Sequence, residues 1–134
     1  MADRISKAKR SEIMARVKQK NTKPEIAVRS LLHKMGYRFR LHRKDLPGKP
    51  DITLSKYKAI IFVHGCFWHG HNCRKGTLPR THKVFWRQKI QGNQKRDRVN
   101  IIKLQDLDFR VMVVWECEII NRNSLSQRFN DFLK

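Results

Sequence analysis

The chain has 134 residues, enough for one domain around one hydrophobic core. With 40% hydrophobic residues and no apolar run long enough to cross a bilayer, its composition excludes a disordered chain and a membrane-spanning one. The 31 Lys and Arg residues against 11 Asp and Glu give a net charge of +20, which favours a nucleic-acid partner, although a ribosome-associated or nucleic-acid-coating protein would carry the same charge.

The first predicted element is a basic arm over residues 1–20. Within it, a short helix follows Ser11, and its apolar residues, Met14 among them, are flanked by Lys and Arg that could lie along a phosphate backbone. The start of the chain lacks the apolar stretch of a secretory signal. We therefore expect an intracellular, cytoplasmic protein that associates with the nucleoid when it acts.

A second helix is predicted to begin at Thr22. Residues 22–25 have the spacing of a capping box, which accounts for Glu25 without a catalytic role. Gly36 would end this helix in a left-handed conformation. Between them, apolar residues recur at i, i+3, i+4 and i+7, as in an amphipathic helix: Val28, Leu31, Leu32 and Met35.

Three strands are predicted next. Residues 37–41 alternate apolar and basic side chains, which is typical of a strand with one buried face. Turn-forming residues 46–50 precede a short strand at residues 51–54. The continuous apolar run at residues 59–63 indicates a central strand buried on both faces.

The segment at residues 64–82 has no regular period, and helical spacing resumes over residues 84–107. We expect two helices there, broken near Gly92. A buried strand at residues 110–115 and an amphipathic helix at residues 125–133 complete the predicted order ααβββααβα.

The irregular segment contains two of the three cysteines, and the third follows the last strand. Three cysteines cannot all pair within one chain and intracellular thiols stay reduced, so a disulfide framework is not expected. Cys66, His71, Cys73 and Cys117 would complete a closed tetrahedral zinc site with a structural role. Alternatively the cysteines are small buried hydrophobic residues, since Cys66 and Cys73 are more widely spaced than the usual zinc hook.

Asp51 and His64 are predicted to lie close together, because antiparallel strands joined by a tight turn bring these strand ends to one edge. A carboxylate beside imidazoles suits a divalent cation on phosphate oxygens, with histidine as the proton carrier. Mg²⁺ commonly uses one or two protein carboxylates. Alternatively, Asp51 pairs with Lys49 or caps a turn.

Phe67, Trp68 and Trp86 lie within or near the most basic irregular region. Aromatic rings among Lys and Arg can stack on bases or wedge between them while the cations hold phosphates. The alternative is that the three rings belong to the hydrophobic core.

These residues give the chain a resemblance to the very short patch repair DNA mismatch endonucleases, the Vsr family. The resemblance covers nearly the whole chain and centres on residues 62–73, with Leu-Pro-Gly-Lys-Pro-Asp at residues 46–51 and Trp-Glu-Cys at residues 115–117. It implies an α/β fold related to type II restriction endonucleases, in a single domain over residues 1–134. That fold has an αβββαβ core with a mixed sheet, extra N- and C-terminal helices and a zinc-stapled loop.

The resemblance also implies an activity: nicking of double-stranded DNA on the 5′ side of the thymine of a T:G mismatch, the lesion left when 5-methylcytosine deaminates. Catalytic Mg²⁺ would be held by Asp51 and by the main-chain carbonyl of Val63, where family members often have Thr. His69 would be the general base. Its orienting or proton-carrying partners would be His64, Glu25 and Asp97.

By the same resemblance, a structural Zn²⁺ is held by Cys66, His71, Cys73 and Cys117. The rings of Phe67, Trp68 and Trp86 would enter the duplex beside the mismatch from the major groove. The residues implied to touch the mismatch or the minor groove are Lys89, Asn93 and Met14.

We expect a monomer whose nick is processed by other repair proteins. Two alternatives stay open: a related nickase of other specificity, and a non-catalytic, zinc-containing DNA-binding module. The pair Asp51 and His69 distinguishes an endonuclease from a binding module, because binding alone requires neither.

Overall fold

The structure is a computed structural model that describes residues 22–134. The predicted basic arm over residues 1–20, with its short helix and Met14, lies outside these residues. Among the residues described, no helix combines the length and apolar content needed to cross a membrane.

Helix α1 (Lys23–Lys34) begins and ends where the sequence predicts. The Thr22 hydroxyl accepts a hydrogen bond from the Glu25 backbone N–H, at 3.3 Å, and so caps the helix. The chain leaves the helix through Gly36, whose φ of 88° is in the left-handed region. Because Val28 and Leu32 are fully buried, the predicted apolar face packs on the core.

Four strands form one sheet in the order β1-β2-β3-β4. The first three pair antiparallel, whereas β3 and β4 pair parallel, so the sheet is mixed as predicted. A long helix, α2 (Lys83–Asp106), connects β3 to β4, and helix α3 (Arg122–Phe132) closes the chain. The strands are β1 (Arg40–Leu41), β2 (Ile52–Leu54), β3 (Ala59–His64) and β4 (Arg110–Trp115).

Strand β3 is the centre of the core. Ile61 packs on one face of the sheet, in the cluster that includes α1 and α3, whereas Ile60 and Phe62 pack on the other face against Leu104 of α2. Alternate side chains of a strand point to opposite faces, so a strand covered on both sides must be apolar throughout. The prediction from the apolar run at residues 59–63 is confirmed.

The predicted break near Gly92 is wrong, because α2 is one continuous helix of 24 residues. A glycine inside a helix costs only about 1 kcal/mol relative to alanine. Burial of Ile90 and Leu104, one on each side of the glycine, anchors both halves of the helix to the protein. Tertiary packing therefore outweighs the local propensity.

The strand predicted at residues 37–41 is reduced to its last two residues, Arg40 and Leu41, and both are exposed. His42 has a φ of 49°, which turns the chain immediately after the pair. Strand β4 alternates between buried and partly exposed residues instead of being fully buried. Helix α3 starts before the predicted Leu125, because the Asn121 side chain accepts from the Ser124 N–H at 3.0 Å and caps it.

Candidate active site

Asp51 lies just before β2, and the antiparallel pairing brings it to the end of β3. Its Oδ2 accepts a hydrogen bond from the Val63 backbone N–H at 2.8 Å. Burial raises the pKa of Asp51 to about 7, against the lowering effect of that N–H, and the neighbouring Glu25 carboxylate adds to the rise. Two carboxylates crowded together in a half-buried site are the donors that a hard divalent cation prefers.

Glu25 lies in the first turn of α1 and is 1% exposed, so its carboxylate does not act as a surface cap. Its Oε2 lies 2.7 Å from Nε2 of His42 and 3.1 Å from a guanidinium nitrogen of Arg29. The ligand atoms of Glu25, His42 and Asp51 all lie within 4.8 Å of one another. These three residues, from a helix and two separate loop positions, form the first of two groups around the site.

The second group contains His69, Asp97 and His64. Nδ1 of His69 lies 2.5 Å from Oδ2 of Asp97, on helix α2, and the His64 ring stacks on the His69 ring with centroids 3.8 Å apart. Burial, together with the neighbouring His69, lowers the pKa of His64 to about 4, so this ring is neutral at pH 7. The Asp97 carboxylate fixes the orientation of the His69 ring through Nδ1, so Nε2 is the ring nitrogen not used in this contact.

A cavity of about 510 Å³ lies between the two groups, and both Asp51 and His69 line it. Lys44 and Lys49 also line it, which gives the cavity positive charge suited to a phosphate. The cavity wall depends on Gly48, whose φ is 76° and whose Cα packs so closely on α2 that an added Cβ would lie 2.9 Å from Cβ of Asn100.

Cys66, His71, Cys73 and Cys117 come together, with their ligand atoms within 4.8 Å of one another. Cys117 follows β4, and the parallel pairing of β4 with β3 brings it beside the loop that begins at Cys66. Burial raises the pKa of the Cys66 thiol to about 12. Although burial opposes it, hydrogen bonds with His71 and Cys66 lower the pKa of Cys73 to about 7. Three sulfurs and one imidazole in this arrangement fit a tetrahedral Zn²⁺.

The loop after Cys66 also carries an aromatic cluster. The ring centroids of Phe67 and Trp68 lie 5.3 and 5.9 Å from that of Trp86, on helix α2. Trp86 is 5% exposed, whereas Phe67 and Trp68 are partly exposed. In the protein without DNA, therefore, Trp86 lies beneath the other two rings and supports them. Little of its own ring is accessible for stacking on a nucleobase.

Helix α2 holds this loop through two amide side chains. Nδ2 of Asn93 donates to the Trp68 carbonyl at 2.7 Å, and Nε2 of Gln94 donates to the carbonyls of His69 and Gly70, each at 3.2 Å. Asn93 thus faces the aromatic loop, whereas Lys89 is exposed on the same helix.

Arg29 lies four residues after Glu25 on α1, a spacing that brings opposite charges together on a helix. The sequence carries no signal for His42 or Gln94 at this site. Each acts through a contact set by the fold: His42 and Glu25 are 17 residues apart, and Gln94 and His69 are 25 apart. A histidine after a short strand and a glutamine inside a helix are common in any domain.

Several known proteins are similar to this chain over most of its length. A model of the family described as DNA mismatch endonuclease Vsr matches residues 2–75. The chain is 50% identical to the type II nicking enzyme V.XorIIP of Xanthomonas oryzae pv. oryzae, covering 99% of this chain and 98% of that protein. It is 43% identical to the DNA mismatch endonuclease Vsr of Escherichia coli (strain K12), covering 94% and 81%.

Among solved structures, the catalytic domain of the homing endonuclease I-Bth0305I superposes with a TM-score of 0.59 at 20% identity, over 84% of this chain and 94% of that one. At this identity the likeness concerns the fold. It supports the predicted α/β, restriction-endonuclease-like architecture, with an αβββαβ core extended by α3.

Proposed function

Because the chain belongs to the Vsr family of DNA mismatch endonucleases, we propose that it nicks one strand of duplex DNA on the 5′ side of the thymine in a T:G mismatch. One observation carries the proposal: Asp51 lines the same basic cavity as the hydrogen-bonded pair of His69 and Asp97. The partly exposed aromatic loop begins beside this cavity. That combination suits both cutting and the detection of a weakly stacked base step.

In this proposal, Asp51 and the Val63 carbonyl hold the cation at one side of the cavity, and the buried Glu25 carboxylate lies beside Asp51. Bound Mg²⁺ would supply positive charge at the scissile phosphate, where negative charge increases during attack. The Val63 N–H holds Oδ2 of Asp51 in place, at 2.8 Å, so the carboxylate is orientated before the substrate arrives. Val63 in place of a threonine is compatible with this role, since the ligand is a main-chain oxygen.

His69 acts as general base in the proposal and accepts a proton from the attacking water at Nε2. Asp97 holds the opposite ring nitrogen at 2.5 Å and stabilises the imidazolium that forms. His64 is neutral, because its pKa is lowered to about 4, so it can stack on His69 without charge repulsion. Its role is to keep the His69 ring in position.

We assign mismatch sensing to the aromatic loop. Phe67 and Trp68 would enter the duplex, and the buried Trp86 would support them from below. A mispaired step costs less to open than a paired one, so insertion itself discriminates. Lys89 is available to the DNA, whereas Asn93 would act by holding the Trp68 carbonyl unless binding releases it.

The proposed Zn²⁺ holds this loop against β4 and takes no part in the chemistry. Cys66, His71, Cys73 and Cys117 leave no open coordination position in a tetrahedral site, which is typical of structural zinc. The His71 ring also stacks on Trp115 of β4, with centroids 4.2 Å apart. We propose that the protein acts as a monomer and leaves the nick to other repair proteins.

A nickase of other specificity is the second candidate, and one observation favours it. Two of the most similar relatives, at 50% and 45% identity, are described as type II nicking enzymes, which leaves the preferred base context open. Fold and catalytic residues do not determine which bases are read. The two candidates share the same chemistry and differ only in the duplex they prefer.

The test uses the full chain and labelled duplexes that differ at one position. They carry T:G, T:A, and each of the other mismatches, and nicking is followed on each strand with Mg²⁺ and with chelator. The proposal expects a single nick, 5′ to the thymine of T:G, that depends on Mg²⁺. Mg²⁺-dependent nicking of another duplex in preference to T:G would support the second candidate, and absence of nicking on every duplex would refute both.

A further inference from the structure

His42 joins the two carboxylate residues of the site. Its Nε2 lies 2.7 Å from Oε2 of Glu25, and its backbone N–H donates to the Asp51 carbonyl at 3.1 Å. A carboxylate oxygen accepts hydrogen bonds, so the Nε2–H tautomer of His42 can donate to Oε2. His42 therefore touches Glu25 through its side chain and Asp51 through its main chain.

Glu25 needs such a partner. It is 1% exposed, and a buried carboxylate is unstable unless it is paired and hydrogen-bonded. Arg29 and His42 both contact Oε2. The ligand atoms of Glu25, His42 and Asp51 lie within 4.8 Å of one another, which places the Glu25 carboxylate beside Asp51.

The backbone at His42 is in a conformation that most side chains disfavour. Its φ of 49° is in the left-handed region, which residues with a Cβ seldom adopt, apart from Asn, Asp and, less often, His. A position selected for the turn alone would be best served by glycine or asparagine. A histidine with Nε2 against a buried carboxylate indicates that the long side chain matters.

We propose that His42 is a positioning residue for the divalent cation: it holds Oε2 of Glu25, so that the Glu25 carboxylate stays beside Asp51 where the cation binds. This inference rests on the proposed function for the cation's role in nicking. The inference extends the proposed function by adding a residue that is not itself a ligand of the cation. Partners that orient metal ligands typically change metal affinity by about 10- to 100-fold when they are removed.

Two substitutions separate positioning from backbone strain. His42→Gln keeps an N–H donor at about the distance of Nε2 but tolerates the left-handed backbone poorly, whereas His42→Asn tolerates that backbone well but is too short to reach Glu25. If His42 acts by positioning Glu25, His42→Gln should bind the cation more tightly than His42→Asn does. If only backbone strain matters, the order should be reversed. His33→Gln, at an exposed histidine on α1, is the matched control.

Mn²⁺ binding to the purified full chain without DNA is measured by loss of the free-ion EPR signal, with Asp51→Asn as the reference for a lost site. We expect His42→Asn to weaken Mn²⁺ binding by about tenfold or more, and His42→Gln to bind nearly as the parent does. The Mg²⁺ concentration for half-maximal nicking should shift in the same order. The melting temperatures of the variants are recorded alongside.

Unchanged Mn²⁺ binding by His42→Asn would overturn the inference. Equal loss of Mn²⁺ affinity in both variants would also overturn it, as would a greater loss in His42→Gln than in His42→Asn. The Mn²⁺ measurement involves no DNA, so it also separates the two proposals. If the variants bind Mn²⁺ as expected but the parent protein nicks no mismatched duplex, the proposed function fails while the role of His42 stands.

Discussion

The Oδ2 atom of Asp51 accepts a hydrogen bond from the backbone N–H of Val63, although 12 residues separate them. The antiparallel pairing of β2 with β3 makes this contact possible, since it places Asp51 beside the end of β3. The same strand continues to His64, which stacks on His69 at 3.8 Å between ring centroids. The carboxylate and the histidine pair are thus held together by one central strand.

Gly48 tests how far the cavity depends on the loop before Asp51. We expect Gly36→Ala to cost about 1 to 2 kcal/mol, because alanine strains at φ 88° but meets no atom within 4 Å. Gly48→Ala should cost about 1 to 3 kcal/mol more, because its Cβ would also lie 2.9 Å from Cβ of Asn100. Chemical denaturation measures both.

The nicking rate of the same two variants is the second readout. Gly48→Ala should lose activity under conditions where it is still folded, because Lys49 and Asp51 move with the loop, whereas Gly36→Ala should keep it. Equal stability and equal activity of the two variants would show that the close approach of Gly48 to α2 is unimportant.

Asp97→Asn should lower the rate of the chemical step by about 100-fold with little change in DNA affinity, because the His69 ring loses the carboxylate that orients it. Single-turnover nicking measures this rate. Asp106→Asn, at the exposed end of the same helix, is the matched control. If the two variants nick at the same rate, Asp97 does not act through His69.

Two substitutions of Trp68 separate the aromatic ring from apolar bulk. Trp68→Phe keeps a flat ring, whereas Trp68→Leu keeps apolar bulk without one. We expect Trp68→Leu to lose about tenfold of the preference for T:G over T:A duplexes, since stacking on a base contributes about 1 to 3 kcal/mol. Trp68→Phe should retain most of it. Equilibrium binding without added Mg²⁺ gives both affinities and leaves the structural zinc in place. An identical preference in both variants would argue against a stacking role.

Elemental analysis of the purified protein should find close to one zinc per chain. Cys117→Ser should release it and lower the melting temperature, because Cys117 joins the loop that starts at Cys66 to the end of β4. His33→Ala, at an exposed histidine outside the cluster, should change neither. A parent protein that is free of zinc and melts like Cys117→Ser would disprove the zinc site.

Much of the fold follows from local patterns. The Thr22 cap, the end of α1 at Gly36 and the buried strand β3 depend on nearby residues, and the sequence predicts all three. The break expected at Gly92 fails because packing at Ile90 and Leu104 is a tertiary effect. The shortened β1 has a similar cause, since no local pattern shows that His42 turns the chain.

The site divides in the same way. Residue types and the family resemblance indicate Asp51, His69 and the three cysteines, because few residues bind cations or carry protons at neutral pH. The sequence does not show that Trp86 is 5% exposed, or that Glu25 is buried against His42, because both depend on which surfaces meet. Residue type identifies a candidate ligand, whereas the fold determines its partner.

The measurement that tests the central claim most directly is strand-resolved nicking of a T:G duplex by the parent and by Asp51→Asn. The amide keeps an oxygen that accepts from the Val63 N–H but removes the negative charge that a cation requires. We expect the parent to make one Mg²⁺-dependent nick 5′ to the thymine, and Asp51→Asn to bind the same duplex with similar affinity and leave it intact. Nicking by Asp51→Asn at the parent's rate would contradict the account.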